Sequence, residues 1–288
     1  MSRRAQLKSL RSLPTKSTGR RIPRRIPITM QHADHFTPVA ADYAGFRPRY
    51  PEALIAWLAR LAPARHCAWD CATGSGQAAV DLARHFEQVI ATDISEAQLA
   101  AAIPHPRIDY RLAPAEACGL ADDAVELITV AQALHWLDLG RFYAEAQRVL
   151  RPDGLLAVWS YGLLETDDAA INHCLRGDYH AIIQPYWPDE RRHVEDGYRA
   201  LDFPFPEIQA PAFALMADWT LDALLGYLRS WSATARYRAA HGSDPVAAFG
   251  TRLAPVWGGP ETRRTIRWPL SLRVGRAPKR RIDASTAG

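Results

Sequence analysis

Trp69-Asp70-Cys71-Ala72-Thr73-Gly74-Ser75-Gly76-Gln77 is the stretch on which the reading of this chain turns. Its first residues continue a short apolar run from Cys67 and read as a buried strand; the glycines then make a tight turn into a helix beginning near Gln77. Glycine lets backbone approach a ligand closely, and the first turn of a helix presents N–H groups without partners inside the helix. A strand, a glycine turn and a helix in this order therefore form a place to hold a polar ligand. Asp70 adds a carboxylate at the end of the strand.

On both sides of this stretch, helical and strand-like segments alternate. Pro51 suits a first helical turn, and Leu54, Ile55, Leu58 and Leu61 follow at helical spacing. After the glycine turn the pattern predicts a helix over 77–86, a strand over 88–92, and a helix over 95–102 capped by Ser95. It then predicts strands over 107–112 and 125–131, an amphipathic helix over 139–150, and a strand over 155–160 after the turn Pro152-Asp153-Gly154. Strands separated by helices of this length imply a parallel sheet with right-handed crossovers. Beyond Tyr161 the rhythm changes: residues 162–210 are rich in aromatics, prolines and charge. A long helix is predicted over 221–238, with Leu224, Leu225, Leu228 and Trp231 on one face, and a closing strand over 265–274. Tyr227 and Trp231 read as core, because aromatic stripes at helical spacing usually pack.

Two cofactor chemistries fit the glycine turn. Gly74-Ser75-Gly76 followed by Ala79 satisfies the relaxed G-x-G-x-x-A form of a dinucleotide fingerprint, and Asp93, ending the second strand, would bind a ribose hydroxyl under either reading. Asp70 discriminates. A carboxylate there repels a pyrophosphate and attracts the ammonium of a cofactor carrying an amino-acid tail, which S-adenosylmethionine does. A nicotinamide oxidoreductase remains the alternative, although the body of the chain offers no lysine for a Tyr-x-x-x-Lys pair.

The stretch resembles the glycine loop of class I S-adenosylmethionine-dependent methyltransferases, with Ala72 where that family usually has its first glycine. Four further segments match in order. Ala91-Thr92-Asp93-Ile94-Ser95 resembles the ribose-binding loop, Ala113-Pro114-Ala115-Glu116 the adenine-contacting loop, Val130 to Trp136 the strand end that faces the methyl group, and Arg148 to Gly154 the turn into the fifth strand. The resemblance implies a Rossmann-like, doubly wound α/β fold, with a mostly parallel sheet, helices on both faces and a helical, aromatic insertion as substrate cover. It implies cofactor contacts at Tyr43, Asp70, Ala72, Thr73, Gly74, Gly76 and Gln77, at Asp93 and Ile94, at Ala115 and Glu116, and at Ala131, Gln132 and Trp136.

Outside that core, the segment Tyr43 to Pro51, His135-Trp136, Pro185-Tyr186-Trp187 and Tyr227 to Ala233 are together similar to the trans-aconitate methyltransferase-like branch. That similarity implies a small-molecule acceptor, a carboxylate, with Arg47, Arg191, His135 and Tyr186 as its anchors. For a hydroxyl or amine acceptor, His135 becomes the base.

Composition sets the remaining bounds. The chain has 288 residues, of which 48% are hydrophobic and 23% charged, enough to bury a large core. Its formal charge of +4 is unevenly placed, because residues 1–29 carry nine basic side chains and no acid, and residues 273–288 carry five against Asp283. The body is acidic, which disfavours the nucleic-acid methyltransferase alternative. Cys67, Cys71, Cys118 and Cys174 make neither a disulfide framework nor a zinc spacing, and no metal is expected. Without a membrane-length apolar run or a secretory signal, the expected location is the cytoplasm. The expected organisation is a basic leader over 1–33, a methyltransferase domain over 34–275 with its cover over 162–210, and a basic tail over 276–288. The leader reads either as a transit-type or disordered arm or, as the stronger reading, as sequence upstream of a translation start at Met30. A chain starting at Met30 is expected to melt where the full chain does and to bind the cofactor equally, since the leader has too little apolar patterning to join a core. A large drop in its melting temperature would show that the leader packs on the body.

Overall fold

The computed structural model describes residues 48–278; Tyr43, Arg47 and the leader over 1–33 lie outside the described residues. Within them, α1 (Glu52–Leu61) leads into β1 (Cys67–Cys71), α2 (Gln77–Leu82), β2 (Gln88–Asp93), α3 (Glu96–Ala100) and β3 (Ile108–Leu112). The chain then runs through β4 (Val125–Ala131), a 3-10 turn (Leu134–Trp136), α4 (Leu139–Val149) and β5 (Leu150–Tyr161). These five strands are parallel, in the order β3-β2-β1-β4-β5. The order reverses between β1 and β4, so a crevice opens at their carboxyl ends, where open α/β sheets hold ligands.

Alternation along the strands feeds two apolar layers. On β5, Leu155, Ala157 and Trp159 face the layer that holds Leu54, Ile55 and Leu58 of α1, while Leu156 and Val158 face Phe142, Ala146 and Val149 of α4. A doubly covered parallel sheet needs both. Ser95 caps α3, its hydroxyl accepting the Gln98 N–H at 3.3 Å.

The carboxyl half closes the sheet. β8 (Arg264–Arg276) runs antiparallel between β5 and β6 (Glu207–Ile208), and its first half pairs with β7 (Ala214–Trp219). Between β5 and β6 lie α5 (Ala169–His173), a π-helical segment (Cys174–His180), α6 (Ala181–Ile183) and α7 (Arg191–Glu195). With α8 (Leu221–Arg229), α9 (Ser232–His241) and α10 (Pro245–Trp257) they form an aromatic cover. Tyr179 packs on Trp231 and Phe249 with ring centroids 5.9 and 5.0 Å apart. Tyr227 and Trp231 are buried there.

Two elements differ from the sequence reading. The helix expected over 221–238 is two helices, α8 and α9, because the Ser230 hydroxyl donates to the Tyr227 carbonyl at 2.6 Å and Trp231 takes extended backbone. Such local side-chain bonding competes with helix continuation. β5 also starts at Leu150, with Arg151 to Gly154 as a bulge: its register against β4 jumps from Leu150 to Leu155, and Asp153 has φ +63.

β8 can pack closely because of one glycine. A Cβ on Gly275 would meet the Cβ of Phe205, Phe203 Cε1 at 2.7 Å and the Phe205 carbonyl oxygen at 3.2 Å. Gly275→Ala is therefore expected to destabilise the protein by about 1–3 kcal/mol, the usual range for overpacking. Chemical denaturation would measure this, and an unchanged midpoint would mean the Phe203–Phe205 segment moves aside freely.

Candidate active site

The turn after β1 is held from below by a buried acid. Asp70 is 1% exposed. One carboxylate oxygen accepts from the Thr73 hydroxyl in the turn, and the other from the Thr129 hydroxyl on β4 at 2.7 Å. Burial pushes its carboxyl from 3.8 up to about 6, although both hydroxyls favour the ionised form and Asp93 opposes it.

Asp93, at the end of β2, holds the turn from the side. It accepts the Gly74 N–H at 2.8 Å and the Ser95 N–H at 2.9 Å. Each carboxylate oxygen keeps a lone pair for a ligand, and burial raises this carboxyl as well. Gly76 takes φ +83, and a Cβ there would collide with the Tyr110 hydroxyl.

Above the turn is a cavity of about 310 Å³. Ala72, Thr73, Gly74, Gly76 and Gln77 line one side; Asp93 and Ile94 line the next; Ala115, Ala131, Gln132 and Trp136 complete the wall. Thus most of the cofactor contacts expected from the sequence come together around one space. Asp70 lies beneath the turn and does not line the cavity. Nor does Glu116, whose Oε1 accepts the Asp138 N–H at 3.0 Å and so steadies the start of α4. Tyr50, Gln98, Ile103 and Leu137 also line the cavity. Tyr50 was legible only as part of an aromatic segment, while Gln98 and Ile103 carried no signal because α3 and the loop after it are placed by tertiary packing.

The residues expected to hold the acceptor are spread more widely. His135 Nδ1 is 3.0 Å from the Tyr198 hydroxyl, and Tyr198 is fully buried with φ +64. Arg191 stacks on the Trp187 ring at 4.5 Å, and burial lowers its pKa. Tyr186 is turned elsewhere, its hydroxyl bonding His241 Nε2 on α9. Ala72, Gln132 and Tyr198, three of the non-glycine residues with positive φ among the described residues, all border this region. Strained backbone concentrates where structure is shaped for a ligand.

A methyltransferase domain family matches residues 69–158. A protein of Dictyostelium discoideum described as a methyltransferase is 35% identical over 236 residues, covering 81% of this chain and 89% of its own length. The chain belongs to the class I S-adenosylmethionine-dependent methyltransferases. A structure described as a type II methyltransferase from Anaeromyxobacter dehalogenans is 46% identical, with a TM-score of 0.78 over 82% of this chain and 100% of that one. An S-adenosylmethionine-dependent methyltransferase of Saccharomyces cerevisiae is 30% identical over 131 residues, 42% of this chain and 45% of that protein. The family match spans β1 to β5, the part of the sheet that carries the glycine turn.

The methyltransferase cavity fits S-adenosylmethionine on its own chemistry. It offers a carboxylate with free lone pairs at Asp93, close backbone at the glycine turn, and apolar walls at Ile94, Ala115 and Leu137. No helix among the described residues is long and apolar enough to cross a membrane, and those residues contain no group of three or more side chains that could hold a metal.

The raised Asp70 carboxyl makes stability depend on pH. A folded state that keeps its proton up to about 6, against 3.8 when unfolded, takes up a proton on folding between those values. The resulting stabilisation is therefore lost as pH rises through that window. Asp70→Asn removes the titration, so the stability of the variant relative to the native chain should grow by roughly 2 kcal/mol between pH 4 and pH 7 in cofactor-free protein. Parallel unfolding titrations would test this; a constant difference would mean that Asp70 ionises normally in the fold.

Proposed function

We propose that the protein transfers the methyl group of S-adenosylmethionine to a small carboxylic acid, as a member of the trans-aconitate methyltransferase-like branch. The observation that carries the proposal is the largely buried Arg191 side chain on α7, a helix that packs against β5 and the 3-10 turn after β4. Tyr161, Tyr198 and Tyr227 lie near enough to act on its charge, and Glu195 stands 3.9 Å away. A cation kept in such a place is suited to offset an acid that water can no longer solvate.

Bound S-adenosylmethionine supplies a methyl group already activated on a sulfonium. The chain's own work is then to hold, align and dry the reactants. In this reading Asp93 accepts from the ribose hydroxyls, and Ile94, Ala115 and Trp136 border the base. Thr73, Gly74, Gly76 and Gln77 present the turn to the amino-acid end. Asp70 acts on that end through the turn, by fixing Thr73 and placing negative charge beneath it. Ala131 and Gln132 form the wall where β4 ends. Tyr198, kept protonated by burial, bonds His135 Nδ1 at 3.0 Å and so orients the imidazole toward the acceptor in this reading. Tyr43 and Arg47, on the segment ahead of Pro48, complete the proposed site, and Tyr186 steadies the cover through His241. The acidic body makes a small acceptor the better match than nucleic acid.

Two measurements test this. Asp93→Ala should weaken S-adenosylmethionine binding by about 1.5–3 kcal/mol in calorimetry, the range for hydrogen bonds to a charged group; unchanged affinity in a folded variant would remove Asp93 from the cofactor site. Transfer from labelled S-adenosylmethionine should favour small carboxylic acids over phenols and RNA, and Arg191→Ala should depress acid methylation while sparing cofactor affinity. Transfer confined to RNA would overturn the acceptor class.

A further inference from the structure

Four nitrogens of the cover are buried without a hydrogen-bond partner among the described residues: Trp187 Nε1, Arg191 Nε, His180 Nε2 and His193 Nδ1. Buried polar groups in folded proteins are nearly always bonded, so a cluster of orphans marks a place that something else completes. Three of these converge. The Arg191 guanidinium lies over the Trp187 ring at 4.5 Å. Arg191 Nε is 3.9 Å from Glu195 Oε1, and His180 Nε2 is 3.7 Å from the same oxygen. Both separations are too long for hydrogen bonds. Glu195 attends Arg191 and His180 without satisfying either.

We propose that Trp187, Arg191 and His180 form an oxyanion subsite for the methyl acceptor, with Glu195 as an internal carboxylate that sits at its edge and yields to an acidic acceptor. This rests on the reading that the acceptor is an acid, and it assigns His180 and Glu195 roles that the sequence did not suggest and gives Trp187 a specific one as a donor. The donor set selects the ligand. Arginine and tryptophan nitrogens only donate, so what completes them must accept, which excludes an ammonium or other cationic partner. Stacking on indole fixes the plane of the guanidinium and pre-orders its edge for a carboxylate.

Exposure decides which acid stays. The Glu195 side chain is 40% exposed and can turn to water, whereas Arg191 is 18% exposed and His180 14%. Arg191 and His180 cannot leave; the glutamate can. Tyr198 connects the subsite to the cofactor cavity, because its hydroxyl lies within the influence of Arg191 and bonds His135 Nδ1 at 3.0 Å, next to Trp136 on the cavity wall. Gln132, also on the cavity wall, donates to the carbonyl of Tyr161, a second tyrosine near Arg191.

The test uses the full chain with two substitutions of opposite expected sign. Trp187→Phe keeps an aromatic ring under Arg191 and removes one donor. Glu195→Gln removes the internal competitor at a half-exposed position where folding is not at stake. Two readouts are taken: the ratio of kcat/KM for carboxylic acids to that for phenols, and the rise in melting temperature produced by benzoate on protein saturated with S-adenosylhomocysteine. Trp187→Phe should lower the acid-to-phenol ratio about tenfold, and Glu195→Gln should raise it, with the benzoate shift following each. If neither variant moves either readout, or Glu195→Gln lowers them, water alone completes the cluster and the subsite is overturned. If the native chain methylates no acid yet benzoate binding follows both variants, the subsite stands and the acid-acceptor reading falls. If the native chain methylates acids and both variants do so equally well, the acid-acceptor reading stands and the subsite falls.

Discussion

The carboxylate of Asp70 joins the sheet to the site. It is buried at the end of β1 and bonded upward to Thr73 in the glycine turn and sideways to Thr129 on β4. Burying a carboxylate is costly unless it is hydrogen-bonded, so those two hydroxyls are a condition of the arrangement. Because β1 and β4 flank the point where the strand order reverses, the same acid fixes the turn over the crevice and closes the crevice floor. The Gly74 N–H then reaches Asp93 on β2, and three adjacent strands are tied at their carboxyl ends.

That tie accounts for a departure from the family pattern. Ala72 stands where a glycine is usual and adopts φ +53. A left-handed alanine costs about 1–2 kcal/mol, and such strain persists only when its surroundings determine it from several sides. Here Asp70 holds the turn from beneath, the Thr73 N–H donates to the Thr92 carbonyl at 2.9 Å, and Asp93 holds Gly74. The turn is shaped by its neighbours more than by the freedom of its own residues.

The proposed acceptor side is built on a different plan. The cofactor turn belongs to contiguous strands, whereas Arg191, Tyr198, His180 and Tyr227 come from separate elements of the cover. Aromatic packing holds the cover in place, with Tyr227, Trp231, Trp268 and Trp219 in mutual contact. Such a layer can change its polar residues while keeping its hydrophobic frame.

What could be read from the sequence alone follows the range of the forces involved. The parallel sheet, the glycine turn and the places of Gly74, Gly76, Asp93 and Trp136 were legible because each depends on a few consecutive residues: strand periodicity, a turn that needs positive φ, an acid closing a strand. The single helix expected over 221–238 failed at Ser230, where one side-chain bond outweighed a continuous apolar stripe. Glu116 and Tyr186 sat in suggestive motifs, yet folding gave their polar atoms to Asp138 and His241. Trp187, Arg191 and Glu195 stand four residues apart along the chain, but the approach of His180 to Glu195 had no local signature. That contact joins the π-helical turn to α7, and what brings them together is burial of aromatic surface far along the chain, a cost and gain that only the packed tertiary structure decides.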